Sequence, residues 1–271
     1  MKDLQHLTML FHVRIDTKER ARNLKIITDY YKQHCVNYEC IFIEDNITQD
    51  VPDIIELQEN YTYIFKKNNA AWNKCASFNR GIALAKSEIL AFHDLDAILN
   101  IDQIINTIEI LKSDNTLGLV YPYNGNFLCV DTSLKDKFEK TLDIACLYEH
   151  FPKQVYVNYS NSNVLVGAIN SVGGCVLGRR DNVIKAGGYN PNFKGWGYED
   201  NEFPNRVHKL GFGVTRLSGK QQVLWHLPHD GEGASPKADN PHYQENNKIC
   251  QFIETQTKEK IQAYIEGWSV V

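Results

Sequence analysis

The chain has 271 residues, enough for one large α/β domain or two small ones, with a core that needs no disulfide staples. Its 43% hydrophobic content is that of an ordinary globular protein. A formal net charge of -4 excludes whole-molecule attraction to nucleic acid or anionic membrane, leaving at most local basic patches such as Lys66 and Lys67.

Leu7 to Ile15 (LTMLFHVRI) reads as a buried strand. Asp16 is expected to cap a helix over Lys18–Tyr31, with Leu24, Ile27 and Tyr31 on one face. Tyr38 to Ile43 reads as a second strand, ending in Glu44-Asp45-Asn46, and Tyr61 to Phe65 as a third. A helix is expected over Trp72–Ala85, with Phe78, Ile82 and Leu84 toward the core. Glu88 to His93 reads as a fourth strand that runs into Asp94-Leu95-Asp96. This order predicts an α/β fold with a central, mostly parallel sheet flanked by helices. Ligands of such sheets sit at the carboxyl ends of the strands. Three polar clusters fall at such ends: Arg14 with Asp16, Glu44 with Asp45, and Asp94 with Asp96.

Further along, Ile101–Leu111 reads as a helix and Gly118–Tyr123 as a strand, while 124–163 carries no clean pattern. Ser171–Arg179 reads as a strand with a Gly-Gly kink, and Asp181–Ala186 as a short helix stopped by Gly187-Gly188. A loop over Gly195–Asn201 leads into a helix through Leu210, with Gly211 as its C-cap. Gly213–Leu217 and Gln222–Leu227 read as late strands. Residues 230–242 read as a mobile loop and Glu245–Trp268 as a terminal amphipathic helix.

Three motifs carry chemistry. In His93-Asp94-Leu95-Asp96, strand alternation would send both aspartates to one side, where they could hold a hard cation bridging diphosphate oxygens. In Gly195-Trp196-Gly197-Tyr198-Glu199-Asp200, Trp196 offers a flat face to a sugar ring. The adjacent carboxylates there can divide hydroxyl binding from proton removal. In Trp225-His226-Leu227-Pro228-His229, two histidines three apart could join Asp96 on one cation.

With these motifs in place, the chain resembles a GT-A glycosyltransferase, of the kind that groups inverting family-two enzymes with β-1,4-galactosyltransferases and bacterial chondroitin-type polymerases. The resemblance rests on Val13-Arg14-Ile15-Asp16, Asn73-Lys74 through Asn79-Arg80-Gly81, the Asp94-Leu95-Asp96 element, Gly173-Gly174, Gly187-Gly188-Tyr189, the Gly-Trp-Gly-Tyr-Glu-Asp loop and His226. It implies Arg14 and Asp16 near the base or ribose and Asp45 near uracil. Lys74 and Asn79 would face nucleotide and donor, and Asp94 would contact ribose or metal. Asp96 would ligate the metal, Glu199 would bind hydroxyls, and Asp200 would be the catalytic base. Galactosyltransferases place a methionine and a histidine three apart after the last strand, whereas this chain has His226 and His229, so either or both could ligate.

The implied cofactor is Mn2+ or Mg2+. The implied substrates are a UDP-sugar donor, carrying a hexose or N-acetylhexosamine, and a glycan or lipid-linked acceptor in surface polysaccharide synthesis. The Glu199-Asp200 pair favours inversion by a single in-line displacement. The chain would form a single catalytic domain over 1–271. Residues 1–97 would be its nucleotide-binding half and 98–229 its acceptor half, with 230–271 a loop and C-terminal helix. Two other readings are a sugar-phosphate nucleotidyltransferase, which would normally carry a glycine-rich loop after its first strand, and a non-catalytic sugar-binding protein.

Seven cysteines without CxxC spacing, most among apolar neighbours, read as buried free thiols of a reducing compartment. The N-terminus has no signal-peptide pattern and no apolar run reaches membrane-spanning length. A cytoplasmic protein is expected, with loose association at the inner membrane face still compatible.

Overall fold

The computed structural model describes residues 1–151, 164–168, 170–230 and 240–268, the segment 164–168 by its backbone alone. In chain order the elements are β1 (Lys2–Asp3), β2 (Leu7–Val13), α1 (Lys18–His34), β3 (Cys35–Val36), β4 (Glu39–Asn46), α2 (Val51–Ile54), β5 (Tyr61–Lys67), α3 (Lys74–Leu84), β6 (Ile89–His93) and β7 (Ala97–Ile98). Then come α4 (Ile101–Ser113), β8 (Leu117–Tyr121), β9 (Phe127–Val130), α5 (Thr132–Thr141), α6 (Ala145–Tyr148), β10 (Val164–Ala168), β11 (Cys175–Arg179) and α7 (Arg180–Lys185). The chain continues through α8 (Glu199–Lys209), β12 (Gly213–Arg216), β13 (Leu224–His226), α9 (Tyr243–Thr255) and α10 (Lys258–Ile265).

Seven strands form the main sheet in the order β12-β8-β11-β6-β2-β4-β5. All neighbours run parallel except β11, which is antiparallel to both β6 and β8. The expected mostly parallel α/β sheet is therefore present. Strands β2 and β6 are buried along their whole length, as a sheet covered on both faces requires. The carboxyl ends of β2, β4 and β6 share one edge, as their parallel registers dictate. A second sheet, β10-β9-β13-β7, lies at residues around that edge.

Several local expectations change. The cap of α1 is Thr17, whose side chain accepts the Arg20 N–H, while Asp16 pairs with Arg20. Strand β4 runs on to Asn46, so Glu44 and Asp45 lie within it and not after it. Helix α3 starts at Lys74 behind the cap Asn73. Phe78 and Ile82 anchor it in the core, but Leu84 is 47% exposed, because the helix ends there and turns its last residue outward. The expected strand over Ser171–Arg179 keeps only Cys175–Arg179. The terminal helix is broken into α9 and α10 around Gln256-Thr257, with Trp268 beyond them packed over Arg206. Most of the expected loop at 230–242 falls outside the described residues. All seven cysteines are free, six of them buried, as expected.

Candidate active site

A cleft of about 770 Å³ opens at the carboxyl edge of the sheet. Its wall takes residues from the end of β2, the turn after β6, strands β9 and β13, the 170–174 segment and the loop before α8. It brings together Asp94, Asp96, Trp196, Glu199, Asp200, His226 and His229.

The turn after β6 separates its two aspartates instead of aligning them. Strand β6 ends at His93, so Asp94-Leu95-Asp96 is not extended and alternation does not apply. The imidazole of His93 fixes this turn: Nδ1 lies 2.8 Å from the Asp94 carbonyl and Nε2 lies 2.8 Å from the Tyr31 hydroxyl. A carbonyl can only accept, so Nδ1 carries the proton and Nε2 accepts from Tyr31.

Asp94 faces Lys74, whose ammonium lies 3.1 Å from its carboxylate. The same ammonium lies 3.1 Å from both oxygens of Asp200 and 3.9 Å from Glu199. Lys74 is nearly fully buried. Burial alone would discharge it, but Asp200, Asp94 and Glu199 outweigh burial and hold its proton well above the ordinary lysine range. Burial raises the Asp200 carboxyl above its usual value; Lys74 opposes this and Asp94 adds to it. Burial, and then the neighbouring Asp200 charge, push Glu199 up to about 7. One ammonium among three carboxylates thus favours a proton held on Glu199 near neutrality.

Asp96 faces the histidines. The β7–β13 register pairs His226 with Ala97, which sets His226 beside Asp96, and the Leu227 N–H donates to the Asp96 carbonyl at 2.8 Å. The Asp96 carboxylate lies 2.9 Å from His229 Nε2 and 3.6 Å from His226 Nε2. The three ligand atoms all lie within 4.8 Å of one another, the one such group among the described residues. Around a six-coordinate cation with bonds of about 2.1 Å, adjacent ligand atoms stand about 3 Å apart and opposed ones about 4.2 Å. The group therefore fits a single divalent cation with small adjustments. Behind it, the buried Lys135 ammonium donates to the Pro228 carbonyl at 3.2 Å and to Glu19, which ties α1 and α5 to the His226–His229 segment.

The loop before α8 is built from unusual backbone. Gly195, Gly197 and Tyr198 have φ of 64°, 116° and 70°. The Gly197 N–H donates to Glu199 at 2.8 Å, and the Gly195 N–H donates to the Trp72 carbonyl at 3.0 Å. Helix α8 is fixed from behind by Arg206, fully buried, which pairs with Glu202 and donates to the carbonyls of Ala186 and Gly188.

Five expected residues lie outside the cleft wall, one of them Lys74, which sits buried behind Asp94 and Asp200. Arg14 donates to the Ala70 carbonyl and Asp16 pairs with Arg20. Asp45 accepts from the Asn73 N–H and the Asn68 amide, each at 2.9 Å, and so holds the segment before α3. Asn79 is engaged at both ends of its amide by the backbone of Tyr189, at 2.7 and 2.8 Å, a structural clamp that leaves it little to offer a donor. Conversely, the wall includes His12, Trp72 and Tyr243, which the sequence did not single out. His12 lies in β2 and packs on Trp72 with ring centroids 5.0 Å apart. Burial, then Lys74, Arg20 and Arg14, keep His12 well below the usual imidazole range and hence neutral. A histidine interrupting the apolar run before Val13 was the available signal.

The chain is similar to known proteins in sequence and in fold. Residues 11–222 match the family described as "Glycosyltransferase like family 2". Over 207 residues, 68% of the chain, it is 24% identical to a chondroitin synthase of Escherichia coli, of whose length it spans 29%. In fold it is similar to the catalytic domain of Drosophila beta1,4galactosyltransferase 7 in complex with xylobiose, with a TM-score of 0.50, 17% identity, and coverage of 93% of this chain and 81% of that one. A mannosyltransferase from Pyrobaculum calidifontis in complex with GDP-Man and Mn2+ superposes with a TM-score of 0.51 at 15% identity, over 96% of this chain and 73% of that one. No helix among the described residues is long and apolar enough to cross a membrane.

Proposed function

The chain belongs to the glycosyltransferase-like family 2 as a glycosyltransferase of GT-A fold, and from that premise we propose that it moves a hexose or N-acetylhexosamine from a UDP-sugar to a glycan acceptor with inversion. The observation that carries this is the cleft's division of labour. A carboxylate with a raised proton affinity, Asp200, shares one wall with the Asp96-His226-His229 group.

In the proposed step the acceptor hydroxyl lies against Asp200. Its oxygen attacks the anomeric carbon from the face opposite the nucleotide. The new C–O bond forms as the bond to the β-phosphate oxygen breaks, the electron pair leaves with UDP, and the hydroxyl proton passes to Asp200. No enzyme nucleophile intervenes, so the configuration inverts. Lys74 keeps the Asp200 carboxylate oriented, and Glu199, protonated near neutrality, can donate to a sugar hydroxyl. Asp96, His226 and His229 would hold the divalent cation, which when bound offsets negative charge on the departing diphosphate. Two imidazoles beside one carboxylate suit Mn2+ better than Mg2+, which prefers oxygen ligands and water. Residues 1–97 would serve the nucleotide and 98–229 the acceptor. The chondroitin synthase relative supports a polysaccharide product.

The test is a screen of UDP-sugars for nucleotide release, with Mn2+ and after chelation, in wild type and Asp200→Asn. Release that needs Mn2+ and falls by orders of magnitude in the variant is expected. Metal-independent release, or full transfer by Asp200→Asn, would defeat the reading.

A further inference from the structure

We propose that Tyr243, at the start of the C-terminal helix α9, completes the acceptor site: its ring and that of Trp196 form an offset parallel stack, a stepped aromatic surface against which a pyranose ring of the acceptor packs. This rests on the transferase reading above and deepens it.

The two rings are within 7° of parallel, with centroids 6.0 Å apart, and the Tyr198 ring lies 5.0 Å from Tyr243. Trp196, Tyr198 and Tyr243 are all partly exposed and line the same cleft as Asp200. Pyranose rings present a C–H face with little polarity, and a broad aromatic surface is the usual protein complement to it. Position decides between acceptor and donor. The aromatic face adjoins Glu199 and Asp200 through the Gly197 backbone, whereas the metal group is built on the turn after β6 and on β13. The attacking hydroxyl must lie at the base, so the sugar beside these rings is the one that attacks.

The ring of Tyr243 packs on the loop but is not all that holds it. Asn240 donates to the carbonyls of Trp196 at 2.6 Å and Lys194 at 3.1 Å. Asn246 donates to Lys194 at 3.0 Å and accepts its N–H at 3.3 Å. These side chains clasp the loop to α9 alongside the ring contacts of Tyr243, so removing the ring does not by itself release the loop. Tyr243 also lies beyond residues 11–222, the span of the family match, so this half of the platform is not carried by the shared region.

The experiment measures transfer kinetics for wild type, Tyr243→Ala, Tyr243→Phe and Asn240→Ala, with xylobiose, cellobiose and diacetylchitobiose as acceptors. Acceptor KM should rise on the order of tenfold in Tyr243→Ala, with a much smaller change in kcat and donor KM, and Tyr243→Phe should restore it. Asn240→Ala, which loosens the loop, should lower kcat instead. An acceptor KM in Tyr243→Ala within about twofold of wild type, or a donor KM rising in step, overturns the inference. So does a wild-type protein that hydrolyses donor but is not accelerated by any of these disaccharides. A wild-type protein that releases no nucleotide from any donor fails the transferase reading itself.

Discussion

The ammonium of Lys74 holds Asp200 by both carboxylate oxygens, each at 3.1 Å. It also reaches Asp94 at 3.1 Å, so one buried cation links the proposed base to the turn after β6. Replacing it by glutamine leaves three neighbouring carboxylates without a countercharge. Lys74 opposes the rise that burial imposes on Asp200, so its loss should move the Asp200 proton affinity higher. The acid limb of the kcat/KM profile should therefore shift to higher pH in Lys74→Gln, with activity at pH 7 down by about tenfold or more and partly recovered in alkali. An unshifted limb would separate Lys74 from the base.

How much of this was legible in sequence depends on the range of the contact. Strand β2, helix α1 and the helix led by Glu199 follow from local apolar period and caps, and they stand nearly where the sequence places them. Asp96, His226 and His229 are each recognisable by type, but their meeting depends on the β7–β13 register, which no local pattern encodes. The shared side expected for Asp94 and Asp96 fails because the strand ends at His93, as expected, and the chain turns at once, so strand alternation does not reach the two aspartates. Tyr243 was hidden for a different reason: it packs on Trp196 from 47 positions away in the chain, and a tyrosine opening a helix carries no signal of its own.

Glu199 should give stability a distinct pH dependence. Its proton affinity is raised from 4.5 to about 7 in the fold, by burial and then by Asp200. Between those values the unfolded chain has lost the proton and the folded chain keeps it. Stability therefore falls as pH rises, by about 1.4 kcal/mol per unit for one group, or roughly 3 kcal/mol across the window. Glu199→Gln lacks this term. Urea unfolding at pH 5 and pH 8 should show the variant gaining on wild type at the higher pH. Equal slopes would mean the carboxyl is already ionised in the fold.

Lys135 should matter to the metal without touching it. Its fully buried ammonium donates to the Pro228 carbonyl, midway between the two histidines that share Asp96. Lys135→Met keeps the buried bulk and removes the donor. Supports of this kind typically tune metal affinity by 10- to 100-fold. Titration calorimetry with Mn2+ should show weakening of about tenfold at the lower end of that range, with far-ultraviolet circular dichroism unchanged. Wild-type affinity in the variant would place the histidine geometry under the β13 register alone.

Gly197 separates backbone strain from steric contact in the catalytic loop. Its φ of 116° is one that residues with a side chain rarely adopt. A Cβ there would also lie 2.8 Å from the Tyr243 ring. Gly197→Ala should thus lose about 1–3 kcal/mol through the backbone and more through displacement of Tyr243. At this chain length each kcal/mol corresponds to about 2–4 °C in Tm. The double variant Gly197→Ala/Tyr243→Ala relieves the collision but not the φ. If contact dominates, the double variant should melt above Gly197→Ala despite losing a packed ring. If strain dominates, the two losses should add. In either case the loop carrying Glu199 and Asp200 shifts, so kcat should fall in Gly197→Ala, whereas Tyr243→Ala alone acts mainly through acceptor KM. A Gly197→Ala protein with wild-type Tm and kcat would show that the loop adopts another backbone in solution.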